Sequence, residues 1–290
     1  MVNTLLTDYV LPLAFIIVAP LLGGLLVGLD RKITARMQSR MGPPITQPFY
    51  DFIKLWGKAP FLSSRFQPML AVGYFVFIFT AVIMLAFKQD LLLTLFTLTL
   101  ADVCLIVSAY NSKSPYSNLG GRRELLSMLA YEPLMLLTAI SIQVVTGSFL
   151  VRDVFTYGKP LLLVIPAAYA VQQLVLIIDM KKSPFDVAGS GHAHQELVRG
   201  VYTEFSGYTL ALVELGHWTK IAFIMGLISL FWAQNLLIGV GLSLLLWFIS
   251  IVADNIYPRL NWETMVRTSW TLGFILILAN FVVVTILGVI

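Results

Sequence analysis

The sequence is short of charge and nearly without cysteine. Only 12% of its 290 residues are Asp, Glu, Lys or Arg, against roughly 25% in a soluble domain. A water-soluble globule of this length needs more polar surface than that, so a soluble globular enzyme is excluded. A disordered chain is excluded too, because disorder goes with low hydrophobicity and high charge. The single cysteine, Cys104, cannot close an internal disulfide. Nor can it hold an iron–sulfur cluster or a structural zinc, which take about four ligands. Sequence repeats and low-complexity linkers are also missing. What is present is apolar: 58% of residues are hydrophobic and the mean hydropathy is +0.87. The expected class is an all-α polytopic membrane protein.

Eight apolar stretches reach the length of about 20 residues that crosses a hydrocarbon core. They are 9–29, 68–87, 91–111, 125–149, 160–179, 207–232, 237–253 and 269–290. The first lacks the basic start of a secretory signal and is followed by its basic residues, so it reads as a permanent helix. About eight membrane helices in one polytopic domain, 1–290, are the expectation.

The net charge of +4 is modest, and no nucleic-acid partner is expected. With the N-terminus outside, fifteen of the 19 basic residues fall in inner loops; Lys88, Arg152 and Lys159 lie outside and Lys220 within a helix. This is a positive-inside bias, and it predicts that both termini face outward. The two long polar segments, 30–67 and 180–206, then share the inner face and form a natural docking surface. In the first, apolar residues from Phe49 to Trp56 alternate with Asp51 and Lys54 at helical spacing. That pattern suits an interfacial helix with basic residues toward lipid phosphates, which leaves a docking role open.

Ionisable groups inside hydrocarbon are costly and normally face a protein interior or water. Here they form a set: Asp102 in the third span, Glu132 in the fourth beside Pro133, and Glu214, His217 and Lys220 in the sixth. The last three are spaced i, i+3, i+6 and share one helical stripe. They either pass protons or pair to orient helices. Pro133 predicts a kink or local opening beside Glu132. The 180–206 loop adds Asp186, His192, His194, Glu196 and Glu204, bent at Gly189 and Gly191. Its HxHxE run invites a zinc reading, but His217 is the only other histidine, and no metal site is assigned.

These residues also carry a resemblance. Segment 30–60, with Gln38 and Arg40 before Gly42–Pro43, then Gln47–Pro48, Asp51, Lys54–Leu55 and Lys58, resembles the first inner loop of one subunit of respiratory complex I. That subunit forms the heel of the membrane arm and is present in bacterial NADH:quinone oxidoreductase. Arg123 followed by Tyr131–Glu132 is similar to that family's fourth-helix motif. Pro184–Phe185–Asp186, Gln195–Glu196–Leu197 and Glu204–Phe205–Ser206–Gly207 are similar to its third inner loop, and Arg259 to Asn280 to its C-terminal run. The resemblance covers nearly the whole chain in order. The chain departs from the quinone-reducing members at Ala59, His192, His194 and His217, where those typically carry acids. It is similar instead to the branch in membrane-bound [NiFe] hydrogenases and related sulfur-reducing complexes.

What the resemblance implies is a non-redox membrane anchor in an ion-translocating redox complex of a prokaryotic plasma membrane. It implies peripheral hydrogenase-like large and small subunits that hold the [NiFe] centre and iron–sulfur clusters, antiporter-like membrane subunits, and lipid. The chain itself would carry no cofactor. Asp102, Glu132, Asp186, Glu196, Glu204, Glu214, His217 and Lys220 would form the path for H⁺ or Na⁺. Arg36, Arg40, Asp51, Lys54, Arg123, His192 and His194 would serve the docking loops. A quinone-binding subunit and a stand-alone transporter are the competing readings; the latter lacks the usual repeats and paired broken helices.

Overall fold

The structure is a computed structural model describing residues 9–61, 64–187 and 199–286. Among these residues there is no β-strand, and seven helices are long and apolar enough to cross a membrane. They are α1 (Leu11–Met37), α3 (Gln67–Ala86), α4 (Leu91–Tyr110), α5 (Pro115–Thr146), α9 (Gly207–Ser229, prolonged by a 3₁₀ turn to Trp232), α10 (Leu236–Ile256) and α11 (Trp262–Ile286). Shorter helices are α2 (Gln47–Trp56), α6 (Val151–Thr156), α7 (Leu161–Val164) and α8 (Pro166–Asp179).

The apolar stretches locate the spans well and their ends less well. Segment 160–179 is divided into α7 and α8 at Ile165, which leaves helical geometry at φ −127°, ψ 60°. The ring of Pro166 disfavours helical backbone in the residue before it, so α8 begins afresh at the proline. Elsewhere helices outrun the apolar windows: α5 begins at Pro115 and α11 at Trp262. A helix continues past hydrocarbon as long as its backbone bonds are made, and hydropathy marks only the greasy part.

Pro133 does not break α5. Its missing N–H leaves the carbonyl of residue 129 without its helical donor. The indole Nε1–H of Trp270 donates to that Leu129 carbonyl at 3.0 Å. The carbonyl that Pro133 frees is thus satisfied by a side chain from α11.

The described residues fall into two compact units, one within 1–87, 97–125 and 186–223, the other within 88–96, 126–185 and 224–290. In the first, α1 meets α9 along a glycine stripe. A Cβ on Gly23 would collide with the Trp218 carbonyl, and one on Gly28 with the Ile45 carbonyl. Small residues at these positions let backbones approach closely within a membrane, and Gly24 between them leaves room for the Phe49 and Trp218 rings. Gly216 of α9 similarly accommodates the ring of buried Tyr74. The 58–61 segment is stitched to the start of α9: Phe61 N–H donates to Ser206 Oγ (2.6 Å), and Ser206 Oγ donates to the Phe61 carbonyl (2.9 Å).

In the second unit amides and hydroxyls cross-link the helices around α8. Gln172 of α8 donates to Thr138 Oγ1 (3.0 Å), Gln173 to Ser250 Oγ (2.7 Å), and Tyr169 to the Leu242 carbonyl (3.0 Å). Gly273 of α11 leaves room for Leu134 of α5. In hydrocarbon such amide and hydroxyl bonds tie helices together where apolar surfaces alone drive little association.

Candidate functional site

α4 and α9 carry four of the five expected intramembrane charges, Asp102, Glu214, His217 and Lys220, in the first unit. Asp102 and Lys220 are each 3% exposed. The ammonium donates to both carboxylate oxygens, at 2.8 and 3.0 Å. A buried ammonium is tolerable only with such a partner. Glu214 and His217 lie on the same helix as Lys220, two turns and one turn earlier, and both are half-buried. The row expected from the spacing is present, and the carboxylate facing Lys220 is Asp102 from a different helix.

Glu214 also faces a pocket of about 180 Å³ whose wall holds Arg31, Asp51, Lys54, Arg199 and Trp218. α1 supplies Arg31 and α2 supplies Asp51 and Lys54. Asp51 is 3.8 Å from both Arg31 Nη1 and Lys54 Nζ and accepts from Gln47 Nε2 at 3.1 Å. α2 is anchored by aromatic packing: Phe49 meets Trp218 edge-on with ring centres 5.4 Å apart, and Phe52 lies 6.0 Å from the same ring. Residues read as docking elements and one read as part of an ion path therefore share a single cavity.

The remaining loop residues take separate places. Arg123, on α5 rather than in a loop, donates from Nη1 to the Val187 carbonyl at 3.3 Å, next to half-buried Asp186. The Glu204 carbonyl accepts from Gln67 Nε2 at 2.8 Å. Arg36 and Arg40 are exposed at and just beyond the end of α1. Glu132 belongs to the second unit, half-buried on α5. His192, His194 and Glu196 lie outside the described residues. Among the described residues no cluster of three or more His, Cys, Asp or Glu is arranged to hold a metal ion.

Several charges escaped the sequence reading. Lys182 Nζ and Asp254 Oδ2 pair at 3.0 Å with side chains 13% and 16% exposed, and Asp254 Oδ1 accepts the Ser183 N–H at 2.9 Å. Asp30, Glu124 and Asp179 are buried acids. In sequence each sits at the rim of an apolar run, where a charge ordinarily reads as a solvated helix end.

The chemistry available is proton exchange between coupled groups. In the Asp102–Lys220 pair, moving the proton from nitrogen to oxygen turns a salt bridge into a neutral pair.

A profile described as NADH dehydrogenase matches residues 10–285. Hydrogenase-4 component C of Escherichia coli is 30% identical over 90% of this chain and 91% of its own length. NADH-ubiquinone oxidoreductase chain 1 of Carassius auratus is 26% identical over 95% of each. Among solved structures, a chain of the membrane-bound sulfane sulfur reductase, an archaeal respiratory membrane complex, matches with TM-score 0.85 at 22% identity, covering 96% of this chain and 99% of that one. At that identity the likeness is one of fold.

Proposed function

Since the chain belongs to the NADH dehydrogenase family, we propose that it is the membrane-anchor subunit of an ion-translocating redox complex of the hydrogenase-like branch. It holds a peripheral [NiFe]-hydrogenase-like module at its loops and couples turnover there to H⁺ or Na⁺ movement. The observation that carries this reading is the buried Asp102–Lys220 pair at the end of the Glu214–His217 row. A charge pair costly to place in lipid sits on the same helix as an acid that faces a loop-lined pocket.

The [NiFe] centre and iron–sulfur clusters belong on partner subunits. Metal clusters of that kind need several thiolates, and Cys104 is alone, half-buried on α4 beside Gly73. This chain's own residues would hold charge and move protons. Partners are the peripheral large and small subunits and antiporter-like membrane subunits, in a prokaryotic plasma membrane with both termini outside.

The test is Glu132→Gln in the assembled complex, with redox activity measured beside ion uptake in sealed vesicles. Gln is nearly isosteric and cannot exchange a proton. We expect assembly and redox turnover to survive and ion uptake to fall. Wild-type uptake by the assembled variant would remove Glu132 from the path. A second reading, a quinone-binding subunit, is favoured by the ubiquinone oxidoreductase relative. Quinone-depleted membranes keep full turnover with the natural acceptor under the first reading and lose it under the second.

A further inference from the structure

We propose that the pocket lined by Arg31, Lys54, Arg199 and Trp218 binds the phosphate headgroup of an anionic phospholipid. Three cations converge on it from three separate elements: the end of α1, α2, and the residue leading into the 3₁₀ turn at Gly200–Tyr202. Its two acids are Asp51 and Glu214, so the wall is net cationic. Asp51 stands 3.8 Å from Arg31 and from Lys54, beyond hydrogen-bond distance. It positions both cations without consuming their donors. Guanidinium presents up to five N–H groups and ammonium three, and both suit phosphate oxygens.

Arg199 has a left-handed backbone, φ 62°. A non-glycine residue in that region is strained, and such positions cluster at ligand clamps. Its side chain forms part of the cavity wall.

The ligand's other end identifies it as a lipid. Phe52, Leu55 and Trp218 give the pocket an apolar side, suited to a glycerol backbone and the first methylenes. Outside the pocket α2 exposes Tyr50, Ile53 and Trp56, each more than half accessible. A helix with aromatic and aliphatic residues turned outward and basic residues at its flank lies in the headgroup layer. A phosphate ester at the mouth of this cavity is then at its natural depth. The proposal rests on the membrane placement of the chain and not on the ion path.

The experiment uses the detergent-purified complex and native mass spectrometry. Wild type is expected to retain an anionic phospholipid, phosphatidylglycerol or cardiolipin, on this chain. The double variant Lys54→Ala/Arg199→Ala should lose that retention about tenfold or more, while Lys58→Ala, exposed and outside the pocket wall, should keep it. After delipidation, added phosphatidylglycerol should raise the melting temperature of wild type, and phosphatidylcholine should not. Unchanged retention in the double variant overturns the proposal, as does equal stabilisation by phosphatidylcholine. Inorganic phosphate giving the full shift without lipid would assign the cavity to a soluble anion instead. A co-purifying quinone that resists the charge substitutions would assign it to that ligand.

Discussion

Replacing Asp102 by Asn tests whether the Lys220 charge is held by this one carboxylate. The two side chains are 4% exposed and joined by contacts of 2.8 and 3.0 Å. Asn keeps the volume and one acceptor oxygen but removes the countercharge. An uncompensated buried ammonium costs roughly 3–5 kcal/mol, about a hundredfold to several thousandfold in a folding equilibrium. That is a large share of the 5–15 kcal/mol or so that holds a typical domain together. Lys220→Met alone should be comparably harmful, because it strands a buried carboxylate. Asp102→Asn/Lys220→Met together removes both charges and should recover most of the loss, since neutral replacements of buried pairs are often harmless.

The readouts are assembly on native gels, melting of the purified complex, and ion uptake in sealed vesicles. Coupling in the double-mutant cycle should amount to several kcal/mol. The double variant should assemble and turn over yet fail to move ions. If Asp102→Asn alone assembles and melts like wild type, the ion pair is not what holds α4 to α9. If the double variant moves ions normally, the pair is scaffolding and the path runs elsewhere.

Replacing exposed Arg36 and Arg40 by Glu should release the soluble module from membranes; full assembly of the variant would assign those arginines to lipid headgroups. Gly24→Leu should destabilise by roughly 1–3 kcal/mol through overpacking, because even a Cβ would stand 2.9 Å from the Phe49 ring and 3.0 Å from the Trp218 ring. Gly241→Ala, with nothing within 4 Å of the new carbon, is its control and should be neutral in the same melt.

The apolar spans were legible in the sequence because hydropathy over about 20 residues reflects one large cost, that of placing charge in hydrocarbon. The Glu214–His217–Lys220 stripe was legible for a similar reason: one helix fixes the spacing. What could not be read were relations between helices. Nothing near Lys220 in sequence points to Asp102, 118 positions away. Lys182 and Asp254 each looked like an ordinary helix-end charge. The role of Trp270, satisfying the Leu129 carbonyl that Pro133 frees, depends on packing that no local pattern encodes. The glycine stripe was available, as Gly24-x-x-x-Gly28, a spacing that signals close approach of backbones.

The placement of charge in the two units has a physical logic. Around Gln172 and Gln173 of α8 the second unit is cross-linked by amides and hydroxyls, with the acid Asp179 and the Lys182–Asp254 pair at the helix ends. The first unit buries a full ion pair between α4 and α9. In the ionic state that pair carries no net charge, and in the neutral state it also carries none. The two states differ in dipole alone, so interconversion adds no monopole to a low-dielectric interior. Under the proposed function, charge on Glu214 or His217 of the same helix acts on this pair. Lys220 therefore neutralises Asp102 through contacts of 2.8 and 3.0 Å, and α4 and α9 are joined by a buried pair that carries no net charge.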